Sequence, residues 1–237
     1  MANPSSGATA KMSSVVPIVV VVAGGDAPTH TEINALPTGA LVVAADSGLD
    51  HAYSIGLKSA GLEVAVVVGD MDSVSAESLA VAKAQGIRIE RHPTDKDQTD
   101  LELALEVACG LGNKIILLGG GGGRADHLLG NLAVLTSPKW KAVEVEAWLG
   151  NARVVVVRGQ RVLDVNAGGI VSLLATGGPA RVSSNGLAWP LNDEMLEPYG
   201  SRGISNRASK DGPCITVHEG VVLAVMPLTA QIPLAAQ

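Results

Sequence analysis

The sequence predicts an α/β protein: an N-terminal three-layer α/β/α domain on a mostly parallel sheet, followed by a C-terminal all-β sandwich. Three observations carry that expectation. Up to about residue 149, short β-branched runs alternate with segments of helical spacing. Those runs are continuously apolar rather than alternating, the pattern of strands buried on both faces of a helix-covered parallel sheet. After residue 150 the helical spacing stops, and short strands punctuated by glycine take over.

Residues 1–13, MANPSSGATAKMS, are small and polar without periodicity and read as a disordered tail. The α/β domain is then expected over 14–149 and the sandwich over 150–237. PIVVVVAGG is the first strand. Lys11 ahead of it faintly imitates a signal peptide, but the run contains a proline and flows into GGDAPTH, so it reads as strand then turn. From Val15 to Ala23 it is about half the length needed to cross a bilayer, so no transmembrane helix is expected. Thr29-x-x-Glu32 is a capping box opening a short helix. ALVVAAD, EVAVVVGD and GIRIERHP supply the second to fourth strands. TDLELALEVACG follows as a helix, with Thr99-x-x-Glu102 as its capping box. It carries Leu101, Ala104, Leu105 and Ala108 on one stripe and ends at Gly110. KIILLGG is the fifth strand, RADHLLGNLAVL a helix with Leu128, Leu132 and Leu135 along one side, and KAVEVEAWL the sixth strand. In the second half ARVVVVRG, QRVLDVNA, GIVSLLAT, ARVSSNGLAW, CITVHEG and VVLAVMPL are the strands of the sandwich.

Over 237 residues, 47% of them hydrophobic, the chain has ample material for a core, and the absence of Phe means Val, Leu, Ile and Ala must build it. A formal net charge of −6 without any Lys/Arg cluster removes the footprint of a nucleic-acid binder. Cys109 and Cys214 stand alone, so neither a zinc site nor a disulfide framework is expected and a reducing cytoplasm fits.

The polar residues fall just past the strands: Asp26 after the first, Asp46 after the second, Asp70 and Asp72 after the third. Asp95, Lys96, Asp97, Thr99 and Asp100 follow the fourth; Arg124, Asp126 and His127 follow the fifth. In a parallel sheet these positions share the carboxyl edge, where open α/β sheets bind ligands. Several carboxylates with one Lys and one Arg suit a metal-bridged polyphosphate better than a bare anion. In VVVGDMDSV, Asp70 and Asp72 can aim at one point as hard oxygen ligands for Mg²⁺; the competing reading is that Asp72 or Ser73 caps the next helix. Asp100 can add a ligand, and Lys96 can neutralise phosphate. The five glycines 119–123 are no Walker A loop, because no Gly-Lys-Ser/Thr follows, and they give no dinucleotide fingerprint. Their position after a buried strand lets the backbone of Gly121 and Gly122 approach a phosphate unobstructed.

ADSGLDHA, VVGDMDSV, DKDQTDLELAL and GGGGGRADHLLGNL, in that order, resemble the catalytic domain of thiamine pyrophosphokinases. VSLLATGGPARVSSNGLAWPL and SRGISNRA, ahead of CITVHEGVVLAV, resemble that family's thiamine-binding sandwich. The resemblance covers nearly all the chain after the tail. Ser47 departs from it, standing where glycine is common. It implies transfer of diphosphate from ATP to thiamine with Mg²⁺, giving thiamine diphosphate and AMP. Asp70, Asp72 and Asp100 would hold magnesium, with Thr99 and Lys96 against the phosphates, Asp46 lining the cleft, and Arg124 and Asp126 on the nucleotide side. It also implies a homodimer in which one subunit's sandwich brings Trp189, Ser205 and Asn206 to thiamine at the other's cleft. The proton acceptor stays open among Asp70, Asp97 and Asp100. Two alternatives stay open as well: a related kinase or diphosphokinase acting on another small alcohol, and a non-catalytic thiamine or nucleotide sensor.

Overall fold

Ten strands run as one sheet across the molecule in a computed structural model that describes residues 17–227. The tail expected at 1–13 lies outside the described residues. In chain order the strands are β1 Ile18–Val22, β2 Leu41–Ala45, β3 Glu63–Gly69, β4 Arg88–Arg91, β5 Lys114–Leu118, β6 Glu144–Leu149 and β7 Ala152–Val157. They continue with β8 Gln160–Val162, β9 Ile170–Leu174, β10 Ala180–Asn185, β11 Glu194–Leu196, β12 Asn206–Arg207, β13 Cys214–Glu219 and β14 Val222–Pro227. The helices are α1 His30–Asn34, α2 Gly48–Ser54, α3 Ala76–Ala84, α4 Asp100–Leu111 and α5 Ala125–Leu135.

The large sheet has the order β12-β9-β14-β7-β6-β5-β1-β2-β3-β4. From β4 to β6 every pairing is parallel. The continuous apolar runs explain why: successive residues serve opposite faces. Val19, Val21, Val43 and Val68 pack against Leu101, Ala104, Leu105 and Ala108 of α4. Val20, Val22 and Val42 pack on the other face against Ile33 and Ala52, and Ala44 and Val67 against Leu49. Each fully buried Val, Leu or Ile among them contributes about 1.5–3 kcal/mol relative to exposure.

At β6 the sheet changes character but does not end. β6 and β7 form an antiparallel hairpin through a two-residue turn whose first residue, Gly150, has φ +59°, as a type II′ turn requires. β14, β9 and β12 extend the sheet antiparallel beyond β7. A second sheet, β11-β10-β13-β8, covers one face of that extension. Val155, Val171, Leu173 and Val222 meet Val182, Ile215 and Leu196 in the sandwich core. The fold class is therefore the expected one, with the sandwich borrowing one layer from the sheet of the α/β half.

Two local expectations change. α4 runs through Gly110 and ends at Gly112, where a Cβ would lie 2.2 Å from the Pro17 carbonyl, so close chain packing sets the boundary. Thr99 caps α4 by accepting from the Glu102 N–H at 3.2 Å, but Glu102 turns to Lys139 at 2.6 Å instead of completing the box. The box at Thr29 and Glu32 is complete.

Candidate active site

β1 is the point where strand order reverses: β2, β3 and β4 lie to one side of it, β5 and β6 to the other. Connections leaving β1 and β5 part in opposite directions, which opens a crevice beyond their carboxyl ends. A cavity of about 580 Å³ occupies it, and every residue lining it lies between Ala23 and Asn131. Its two walls are built differently.

One wall is acidic. Carboxylate oxygens of Asp46, Asp70 and Asp100 lie within 4.8 Å of one another. Three backbone features bring them together. Asp46 leaves β2 with φ +46°, Gly69 ends β3 with φ +147°, and Met71 follows at φ +65°. Gly69 is the floor of the cluster, because a Cβ there would stand 3.1 Å from both the Asp100 carboxyl and the Asp46 Cβ. Asp100 sits on the first turn of α4. The Lys96 ammonium lies 2.9 Å from Asp70 Oδ2 and 3.2 Å from Asp100 Oδ1. Its hydrogen bond holds the Asp70 carboxyl below the usual carboxylate range and raises Lys96 in turn. Asp46 is only 7% exposed, and its Oδ1 has no hydrogen-bond partner. Burial, aided by the charge of Asp100, pushes Asp46 above its ordinary value.

Asp72 lines the cavity but stands outside this triad; its N–H donates to Asp70 Oδ1 at 3.2 Å, and its Oδ1 accepts from Ser73 Oγ at 2.7 Å. The acidic set thus includes Asp46, which the resemblance placed along the cleft rather than among the metal ligands. Thr99 lines the cavity as the N-cap of α4. Lys96 does not line it; its ammonium is turned into the carboxylates. Asp97 is exposed and away from the cavity. Asp50 on α2, unremarked in the sequence, accepts from the Ser75 N–H at 3.0 Å and from its hydroxyl, pinning the loop that carries Asp70 and Asp72.

The other wall is backbone. Beyond the last paired residues of β1 and β5 the two loops stay joined: Ala23 N–H donates to Leu118 O at 2.9 Å, Gly25 N–H to Gly119 O at 2.9 Å, and Asp26 N–H to Gly121 O at 3.1 Å. A Cβ on Gly25 would fall 1.8 Å from the Gly121 carbonyl oxygen, which no relaxation of side chains can cure. Asn131 on α5 donates to Gly120 O at 2.8 Å and anchors the run from behind. The Gly24-Gly25 pair after β1 was the available signal for this wall. Gly121, Gly122 and Arg124 line the cavity, as does His127. Arg124 holds Asp126 in a fork of 3.1 and 2.5 Å, both side chains largely exposed, which keeps Asp126 well below the carboxylate range. Asp126 itself does not line the cavity; it holds Arg124, which does.

Trp189, Ser205 and Asn206 gather elsewhere. Asn206 is 2% exposed and pairs with the Trp189 backbone, accepting from its N–H at 3.1 Å and donating to its carbonyl at 2.7 Å. The indole is left 55% exposed. Ser205 has φ +57°, and its N–H donates to Ser172 Oγ at 3.0 Å. Four strands separate β12, which begins at Asn206, from β5. At about 4.8 Å per strand that is roughly 24 Å across the sheet.

Fold and cavity define a doubly wound α/β protein with an acidic switch-point site and a β-sandwich extension. Residues 34–147 match the family model described as thiamin pyrophosphokinase, catalytic domain, and residues 160–222 match that described as thiamin pyrophosphokinase, vitamin B1 binding domain. Together the two span most of the chain, which belongs to the thiamin pyrophosphokinase family. Thiamine pyrophosphokinase of Bacillus subtilis is 36% identical over 83 residues, 35% of this chain and 39% of that protein, so the match spans well under half of the curated relative. The crystal structure of thiamine pyrophosphokinase from Bacillus subtilis has the same fold, with a TM-score of 0.75 at 21% identity over 90% of this chain and 100% of that one. That of thiamin pyrophosphokinase from Geobacillus thermodenitrificans gives a TM-score of 0.70 at 25% identity over 89% and 97%. Among the described residues no helix is long and apolar enough to cross a membrane.

Proposed function

We propose that the chain is a thiamine diphosphokinase, transferring the terminal diphosphate of ATP to the hydroxyl of thiamine and releasing AMP. The observation that carries this reading is the convergence of Asp46, Asp70 and Asp100 opposite a bare-backbone wall in a chain of this family. The donor set suits Mg²⁺: three hard carboxylates, two of them, Asp46 and Asp100, with a buried oxygen that accepts no hydrogen bond from the protein. Asp46, Asp70 and Asp100 would hold it, with Asp72 beside them. Bound there, the cation would offset the negative charge of the polyphosphate.

The chain's own residues do the rest. Gly121, Gly122 and Gly123 line the cavity, where a nucleotide phosphate can approach their backbone without meeting a side chain. Arg124, oriented by Asp126, adds positive charge at the mouth. The substrate hydroxyl attacks the β-phosphorus in line, its proton leaves, and AMP departs. Such transfers depend mainly on positioning and charge neutralisation. Asp97 does not line the cavity, which favours Asp70 or Asp100 over it as the proton acceptor. Asp70, held in an ion pair, is a weakened base.

Thiamine would meet Trp189 of a second copy, since one chain sets its indole face roughly 24 Å across the sheet from its own glycine wall. The exposed indole offers a π face to a cationic heterocycle, and Asn206 fixes its backbone. Mixing the Asp70→Asn and Trp189→Ala proteins should restore about a quarter of wild-type activity if the site spans a homodimer; no recovery would place the whole site in one chain. The two unpaired cysteines suit a cytoplasmic enzyme.

The primary test incubates the protein with Mg·ATP and thiamine and follows products. Thiamine diphosphate and AMP should appear in equal amounts. ADP in place of AMP identifies a monophosphate kinase, and binding without product identifies a sensor.

A further inference from the structure

We propose that Lys96 is the built-in counter-cation of the metal-free site, and that a divalent ion gains Asp46, Asp70 and Asp100 by displacing its ammonium. The inference rests on the metal-dependent reading above and concerns what holds the site before metal arrives.

Three carboxylates within 4.8 Å repel one another, and a sequestered wall screens them less than water does. Lys96 meets that problem. Its side chain is 14% exposed, against 8% for Asp70, and its ammonium spans Asp70 at 2.9 Å and Asp100 at 3.2 Å. It does not line the cavity where a polyphosphate would lie. The neutralisation is incomplete. Asp46, 7% exposed, is a member of the same cluster and keeps its Oδ1 without a partner. A single ammonium therefore hydrogen-bonds one carboxylate and lies 3.2 Å from the Asp100 oxygen without hydrogen-bonding it, whereas a divalent ion can serve all three. The ammonium and the ion compete for the same oxygens, Asp70 Oδ2 and Asp100 Oδ1, and two cations do not share them at contact distance. Lys96 precedes the α4 N-terminus by four residues, so the released ammonium stays at the carboxyl edge and is free to meet an anion there. Metal loading and polyphosphate binding then assist each other through one side chain.

Mn²⁺ serves as the probe, titrated by electron paramagnetic resonance into nucleotide-free protein. Lys96→Met should bind Mn²⁺ at least about tenfold more tightly than wild type, because the competitor is gone. Lys96→Arg, which retains the charge, should stay near wild type. Asp46→Asn, which removes a ligand that Lys96 does not touch, should weaken Mn²⁺ with either residue at 96. If Lys96→Met proves unstable, Lys96→Gln makes the same comparison. Unchanged or weaker Mn²⁺ binding in the charge-removing variants overturns the displacement model while leaving thiamine diphosphate formation unaffected as a reading. Absence of Mn²⁺ binding in every protein overturns both.

Discussion

The two walls of the cavity answer to different physics. On the acidic wall, side chains are held where folding alone disfavours them: Asp46 is buried without a partner for one oxygen, and Asp46 and Met71 take positive φ without being glycine. On the glycine wall the side chains are missing, and the stability comes from two loops close enough to hydrogen-bond through their backbones. The first wall stores unfavourable electrostatics for a ligand to relieve; the second is well satisfied as it stands. Substitutions on the acidic wall should therefore damage chemistry and spare the fold. Those on the glycine wall should damage the fold first.

The sharpest way to break this comparison is Asp70→Asn. Turnover should fall by at least about 10²–10³-fold, with the circular dichroism spectrum retained; near-normal turnover would remove Asp70 from the site. Asp46→Asn should also abolish most activity, yet raise the melting temperature of the metal-free protein at neutral pH. The sign follows from the raised pKa of Asp46: its ionised form is penalised in the folded state, so the penalty is present above the folded value and gone below the ordinary Asp range. The stabilisation should accordingly fade as pH falls through the raised value, and denaturation midpoints across pH would show it. Next in size is Gly25→Ala. A Cβ 1.8 Å from the Gly121 oxygen forces the loops apart, for a loss of about 1–3 kcal/mol in urea unfolding. A variant as stable as wild type would mean that the glycine wall is not close-packed. Arg124→Ala should have the smallest effect, a severalfold rise in KM for the nucleotide with an unchanged melting temperature, since its fork with Asp126 lies in solvent.

The acidic wall was legible as a pattern and not as an arrangement. Asp26, Asp46, Asp70 and Asp72 each follow a run of buried apolar residues, Asp100 follows the short β4 and its loop, and parallel strands carry all of them to one edge. Which three converge depends on the positive φ of Asp46 and on the missing side chain of Gly69, and neither leaves a mark at the level of spacing. Lys96 was readable as a charge but not as a direction: helical periodicity pairs it with Asp100, while its shorter contact is to Asp70, 26 residues away. The strands with continuous apolar runs were plain. β11 and β12, three and two residues long, are too short to show any period. The join between the halves was hidden for another reason. A strand pattern records which faces are buried and is silent on which neighbour its edges find, so β7 extending the first sheet looks the same as β7 beginning a new one.

That join bears on how the molecule can be taken apart. The chain crosses from parallel to antiparallel territory at the Gly150 turn, with β6 hydrogen-bonded to β5 on one side and to β7 on the other. A fragment ending at Leu149 would present the whole free edge of β6, including Val145 and Ala147, as a template for another strand. Proteolysis or truncation near residue 150 would therefore turn an interior ladder into an adhesive border, and the excised halves would seek each other, or further copies of themselves.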